Sequence, residues 1–346
     1  MDNRRRYLNV LRKMNMQDEA KVSEALRKKG FYTNSDNFPL SALHFELTEA
    51  CNAKCRHCYN SSGHNEHDKM GANEWIKFAK YLVEKGGVFE CLLSGGEPLL
   101  LGKRLFEIMD ILDDDGTIFM LMTNGFLVTD EVSTHLAKYK YHWLQVSIDG
   151  SDAEYHDWFR QSTGSWEHAI NAVKCLSNKN IPVKIAHCVT PQNIDKIDDM
   201  FKLASEIGAS SIIAGGISLS GRTSDNRNLL LTPDQDRFLW EKIKENRVIY
   251  DGRMTIKTTN SVKQGLINHS EKPRSNAVIR PNGDIRIDDM APFVIGNVLR
   301  DDFETIWSSK IDTCWKDPRV VSFINGFDRN DRNTEIINYV DDDIYL

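Results

Sequence analysis

Residues 51–60 read CNAKCRHCYN, and Cys51, Cys55 and Cys58 crowd into eight positions of a 346-residue chain that has seven cysteines in all. Thiolates this close in sequence are metal ligands or redox groups. Structural zinc closes four tetrahedral ligands, usually as two pairs. No second pair exists here: Cys91, Cys175, Cys188 and Cys314 are isolated, so zinc would need Cys91 or one of His57, His64 and His67 as its fourth ligand. An iron-sulfur cluster of the [4Fe-4S] type also takes four ligands, ordinarily thiolates. Three would leave one iron open, and the spacing alone admits both readings.

The elements around the cysteines are those of an α/β protein. From about residue 41 to residue 220, short apolar runs alternate with segments of helical period. SALHFELTEA, VFECLLSGG, TIFMLMTNG, YHWLQVSIDG, VKIAHCVT and SSIIAGGISLS read as six strands. NEWIKFAKYLVEKG, GKRLFEIMDILDDDG, TDEVSTHLAKYK, SWEHAINAVKCLSNK and NIDKIDDMFKLASEIG read as the intervening helices, the last with Gly208 as its C-cap. Repeated βα units imply parallel pairing and right-handed crossovers, in a barrel or an open doubly wound sheet. Either architecture puts its chemistry at the C-terminal ends of the strands, which is where the cysteine loop begins.

The flanks differ from this core. Residues 1–38 carry helical spacing and read as a helical N-terminal extension, with the core over 39–232. Thr232 and Pro233 open another helix as N-cap and N1, and Asn282-Gly283 in NAVIRPNGDIRID marks a hairpin. An irregular stretch separates these two features within an extension spanning 233–310, and residues 311–346 read as an acidic, poorly patterned tail with mobile parts.

Composition excludes several classes. The chain is 40% hydrophobic and 27% charged, and no apolar run approaches the roughly 18 residues that a membrane span requires. The basic N-terminus is not followed by an apolar segment, which argues against a secretory signal and for the cytoplasm. A net charge of −6 argues against general nucleic-acid binding, which needs a basic face. An odd cysteine count with three crowded together fits metal or redox chemistry better than a disulfide framework.

CxxxCxxC after the first strand of a repeated βα unit resembles the radical S-adenosylmethionine (SAM) superfamily, over roughly residues 41–220. The resemblance implies a partial (βα)6 TIM-like barrel. It also implies one [4Fe-4S] cluster on Cys51, Cys55 and Cys58, with SAM chelating the open iron. Reductive cleavage of SAM then yields a 5′-deoxyadenosyl radical that abstracts hydrogen from a substrate C–H bond. His57 stands where the family often has another aromatic. Four further stretches fall on the pattern. SGGEP (Gly95, Gly96, Glu97, Pro98) is similar to the motif that holds the methionine ammonium, where a cation needs an acceptor and glycines let the backbone come close; by itself it is a tight βα turn. TNG (Thr123, Asn124) resembles a SAM-contacting turn, and alone is only a turn. SIDG (Ser147, Asp149) resembles a ribose-binding strand end, the alternative being an Asp-Gly turn that caps a helix. Arg160 in HDWFR resembles an arginine that meets the SAM carboxylate, the alternative being a solvated helix charge.

VIRPNGDIRID followed by FVIGNVLRDDFETIW resembles the SPASM or twitch region of radical SAM peptide maturases, which frames auxiliary clusters. Asp288 and Asp289 stand where cysteine is expected, and Cys314 alone lies beyond Cys188, so the extension reads as a degenerate, cluster-free α+β module. The function implied is modification of a ribosomally made precursor peptide, by crosslinking or epimerisation. Cys188 is the candidate hydrogen donor for epimerisation, against its reading as a small buried hydrophobe. A flavodoxin or ferredoxin reductant is implied, and a separate leader-binding protein is a further expected partner, because residues 1–38 are too short for a winged-helix leader domain. The alternatives are a radical SAM enzyme acting on a small molecule and a zinc-binding structural protein.

Overall fold

A computed structural model of the chain describes residues 40–327, 335–336 and 338–346. The extension expected over residues 1–38 lies outside the described residues. All six expected strands are present: β1 (Leu40–Glu46), β2 (Val88–Ser94), β3 (Ile118–Thr123), β4 (Tyr141–Ser147), β5 (Val183–Val189) and β6 (Ser211–Gly216). They pair in sequence order, every neighbour parallel. Between them run α1 (Ala72–Lys85), α2 (Lys103–Asp114), α3 (Asp130–Leu136), α4 (Ala153–Arg160), α5 (Ser165–Asn178) and α6 (Ile197–Glu206). This is the partial (βα)6 barrel.

The period-two burial of β5 shows the layering. Along β5, Val183, Ile185, His187 and Val189 are buried, while Lys184, Ala186 and Cys188 alternate with them on the other face. The first set packs under the helices; the second faces the lumen. On the helices, Trp75, Phe78, Ala79 and Leu82 of α1, and Leu105, Ile108, Met109 and Leu112 of α2, supply the matching stripes. Trp75 also donates its indole N–H to the carbonyl of Leu47, 3.0 Å away, so the helix pins the strand end from which the cysteine loop leaves.

The sheet continues past both edges of the barrel. Beyond β6, α7 (Pro233–Ile249) begins with the expected cap, Thr232 and Gln235 forming a reciprocal capping box. The stretch read as irregular holds β7 (Thr255–Lys257), parallel to β6, and α8 (Val262–Glu271). With Leu266 its one fully buried apolar side chain, α8 offers little periodicity to read. At the β1 edge, β8 (Val278–Ile279) joins parallel to β1 and turns through Asn282-Gly283 into antiparallel β9 (Asp284–Asp288) and β10 (Ala291–Asn297). Gly283 has φ +90°, and a β-carbon there would lie 2.8 Å from Asn297 Oδ1, so the turn requires glycine.

The division expected at residue 310 falls inside α9 (Phe303–Cys314), which is followed by α10 (Pro318–Gly326). The acidic end of the chain, expected to be mobile in part, adds β11 (Ile344–Tyr345) beside β10. It is anchored by charge: Asp343 accepts from Arg286 Nε at 2.8 Å, and the Arg286 side chain is fully buried. Asp343→Ala should therefore lower stability by about 3–5 kcal/mol, since it strands a buried cation. Denaturant unfolding measures the loss, and Arg286→Met added to Asp343→Ala should recover part of it.

Candidate active site

The cysteine loop is positioned mainly by backbone. At the end of β2, Gly96 N donates to Thr48 O at 2.6 Å and Glu97 N to Ala50 O at 2.9 Å, so the SGGEP turn is zipped to the residues before Cys51. There is no room for a side chain: a β-carbon on Gly96 would sit 2.1 Å from Ala50 O, and one on Gly95, at φ +139°, 2.5 Å from Thr48 O. Gly96→Ala should thus push the loop off its register, leaving most of the protein without bound iron while the barrel folds; iron content and circular dichroism test this.

On the far side Arg222 holds the loop, donating from Nε to Cys55 O at 2.7 Å and from Nη1 to Ser62 O at 2.6 Å. Gly221, at φ +49°, lets this turn lie against the carbonyls of Cys58 and Tyr59. Sequence reasoning missed this brace. A glycine-arginine pair just past the sixth strand was its one local signal.

Three cysteine thiols, Gly95 and Gly96, Thr123 and Asn124, Ser147, Arg160 and Cys188 converge on one cavity of about 330 Å³ at the C-terminal ends of the strands. Asn124 lies beside Cys51, its Nδ2 3.8 Å from Sγ, and Arg160 Nη1 lies 3.9 Å from Cys55 Sγ. Burial pushes the Cys55 thiol up to about 12 and raises that of Cys51, so metal-free loops hold thiols and cluster loading must release protons. His57 stacks on Phe159 with centroids 4.1 Å apart, and burial lowers its pKa to about 4. His57 therefore presents a neutral, stacked imidazole at the position where the resemblance places another aromatic.

Three expected cofactor contacts are turned inward. Glu97 is fully buried and away from the cavity; its carboxylate accepts from Leu99 N at 3.1 Å, Thr123 Oγ1 at 2.8 Å and Asn124 N at 2.8 Å. It clasps the β2 and β3 ends together, and burial raises its pKa to about 7. Pro98 opens a short 3-10 turn behind it, so Gly95 and Gly96 with their exposed backbone are the motif's cavity-facing part. Asp149 is also fully buried and does not reach the cavity: Oδ2 takes Arg160 Nε at 2.8 Å and Nη2 at 2.7 Å, and Oδ1 takes the Cys188 N–H at 2.8 Å. Nor does it cap α4, a task that falls to Asp152. Cys188 does line the cavity, with burial raising its thiol pKa.

The donor set fits a cluster better than a single ion. Thiolates around one zinc lie less than about 4 Å apart, yet among the described residues the one metal-like trio with all ligand atoms within 4.8 Å is His57, Asp149 and Cys188, of which Asp149 is already spent on Arg160. Two of the four fourth zinc ligands considered are committed elsewhere: Cys91 is fully buried in the core, and His67 Nδ1 is 2.9 Å from Glu49 Oε2. A cluster needs sulfurs more widely spaced, around a cavity, and that is how Cys51, Cys55 and Cys58 are arranged.

Comparison with known proteins agrees. The radical SAM superfamily model matches residues 45–204. The mycofactocin maturase MftC of Mycolicibacterium smegmatis is 32% identical over 77% of this chain and 69% of its own length. The subtilosin biosynthesis protein AlbA of Bacillus subtilis is 30% identical over 81% of this chain; the chain spans 62% of that relative's length. Among solved structures, Streptococcus suis SuiB bound to its precursor peptide SuiA superposes with a TM-score of 0.64 at 16% identity, covering 89% of this chain and 71% of SuiB. The chain belongs to the radical SAM superfamily, whose members use a [4Fe-4S] cluster and SAM. No helix among the described residues is long and apolar enough to cross a membrane.

Proposed function

We propose that this chain modifies a ribosomally made precursor peptide by radical chemistry. The observation that carries the reading is the convergence of three thiols, a glycine-rich strand end and Arg160 on one cavity at the mouth of the barrel. Bound together, cluster and SAM supply a 5′-deoxyadenosyl radical that takes hydrogen from a substrate C–H bond. The chain's own part is to hold and orient. Cys51, Cys55 and Cys58 ligate the cluster; the Gly95-Gly96 backbone receives the methionine ammonium, Ser147 the ribose, and Arg160 the carboxylate. The sheet and helices exclude water from the radical.

A peptide substrate is supported by the names of the relatives, two of which are maturation or biosynthesis proteins of peptide products, and by the peptide seated on SuiB. A flavodoxin or ferredoxin would deliver the electron, a separate protein would present the leader, and the reducing cytoplasm suits seven unpaired cysteines. Anaerobic reconstitution should give about four iron and four sulfide per chain, with SAM cleavage on reduction. Incubation with the product of a short reading frame beside the gene, followed by mass spectrometry, separates crosslinking (loss of a hydrogen pair) from epimerisation (gain of one deuterium in heavy water). No change in any such peptide, with turnover of a small molecule instead, would overturn the peptide reading.

A further inference from the structure

One wall of the cavity comes from outside the six-strand core. Asp289 and Met290, in the tight turn from β9 to β10, face the cysteine loop across the opening. Asp289 does not stand alone. Its carboxyl hydrogen-bonds to Asp288, which is 3% exposed and also accepts the Met290 N–H at 2.7 Å. The remaining Asp288 oxygen meets His269 Nδ1 on α8, and the His269 side chain is 36% exposed. A continuous line of polar groups therefore runs from solvent through His269 and Asp288 to Asp289 at the cavity wall. These are the positions where the resembling peptide maturases are expected to place auxiliary-cluster cysteine.

Two hydrogen-bonded carboxyls out of water share one proton, because two adjacent charges cannot both be stabilised there. The surroundings reinforce this. Burial, then Asp288 and then Glu46 of β1 hold Asp289 well above the usual carboxylate range, while Asp288 raises the imidazole of His269. The other charged or titratable groups facing the pair are His44 on β1 and Tyr59 on the cysteine loop, with Arg280 beside Glu46. An Asp289 carboxyl that holds its proton more readily than usual, hydrogen-bonded to a second carboxyl with an imidazole behind it, can take or give one proton. That is the arrangement of an acid–base group.

We propose that Asp289 is the acid–base residue of the cavity, acting on a peptide O–H or N–H, with Asp288 and His269 positioning it and connecting it to solvent. In the accepting direction the substrate proton moves to the Asp289 oxygen turned to the cavity while the shared proton shifts to Asp288. The pair goes from one negative charge to none, the substrate atom keeps its electron pair, and no electron is transferred. His269 then returns the extra proton to water. The proposal rests on the peptide reading for its substrate, but its protonation chemistry can be measured without one.

In the cluster-loaded enzyme, infrared spectroscopy should show, beside the band of the buried Glu97 carboxyl, a second protonated carboxyl stretch at neutral pH. Asp289→Asn should remove it, and His269→Asn should move its disappearance to higher pH, because the stabilising cation is lost. With a modified peptide in hand, Asp289→Asn should slow modification about a hundredfold and flatten its pH profile, and Asp289→Glu should restore part of both. If Asp289→Asn does not fold, Asp289→Glu and His269→Asn give the same readouts. Absence of the second band, a second band unmoved by Asp289→Asn, or peptide modification by that variant at the wild-type rate and pH profile overturns the proposal. A wild-type enzyme that modifies no peptide sinks the peptide reading instead, and the infrared result still decides the carboxyl pair.

Discussion

Replacing Cys55 by alanine should leave a folded protein that binds almost no iron and cannot cleave SAM. The loop does not depend on this side chain for its shape: the Cys55 carbonyl takes Arg222 Nε, and Cys58 N and Arg56 N are bound to backbone carbonyls, all of which alanine preserves. The sulfur is a different matter. Cys55 is 8% exposed, and its sulfur lies at the cavity beside Arg160 as one of the three loop thiols that hold the cluster. Iron should fall from about four per chain to a trace, reconstituted samples should lose the visible absorption of the cluster, and the melting temperature of the metal-free protein should stay close to wild type. Cys91→Ala is the control, since that thiol is sealed in the core and its loss should leave iron content unchanged. Full iron in Cys55→Ala would mean that the cluster assignment is wrong.

The barrel and the cysteine loop could be read from sequence because the information is local. Short apolar runs along β1 to β6, stripes on α1, α2, α5 and α6, the Thr232 cap and the Asn282-Gly283 turn each lie within a few residues, where local pattern and turn chemistry decide the outcome. What was missed depends on partners far along the chain. Glu97 and Asp149 sit in motifs that suggest ligand contact, yet their orientation is set by Thr123, Asn124, Arg160 and Cys188, which only the assembled strand ends bring together. Arg222 acts on a loop 160 to 167 residues earlier. The β11 strand is two residues long, and no period can be read in it; its place follows from Asp343 meeting Arg286.

Arg160→Ala should cost the metal-free protein about 3–5 kcal/mol, because it leaves the Asp149 carboxylate buried without its counter-charge. Burial would push the Asp149 carboxyl up; Arg160, with a smaller part from His57, outweighs that and holds it below its ordinary range. The sign follows from linkage. In the wild type the depressed pKa contributes stability that is present above the unfolded value and lost as acid reaches the folded one. In the variant the folded pKa rises above the unfolded value, so stability falls as pH increases. The gap between the two should therefore narrow on acidification, smaller at pH ~5 than at pH ~8. Adding Asp149→Asn should recover most of the loss, since the neutral side chain can still accept the Cys188 N–H through its oxygen. SAM affinity should not recover with it. Arg160 lines the cavity and is 7% exposed, and neither the single nor the double variant offers the ligand carboxylate a cation in its place. Urea unfolding at the two pH values and equilibrium dialysis with SAM separate these effects; recovery of SAM binding in the double variant would show that Arg160 only neutralises Asp149.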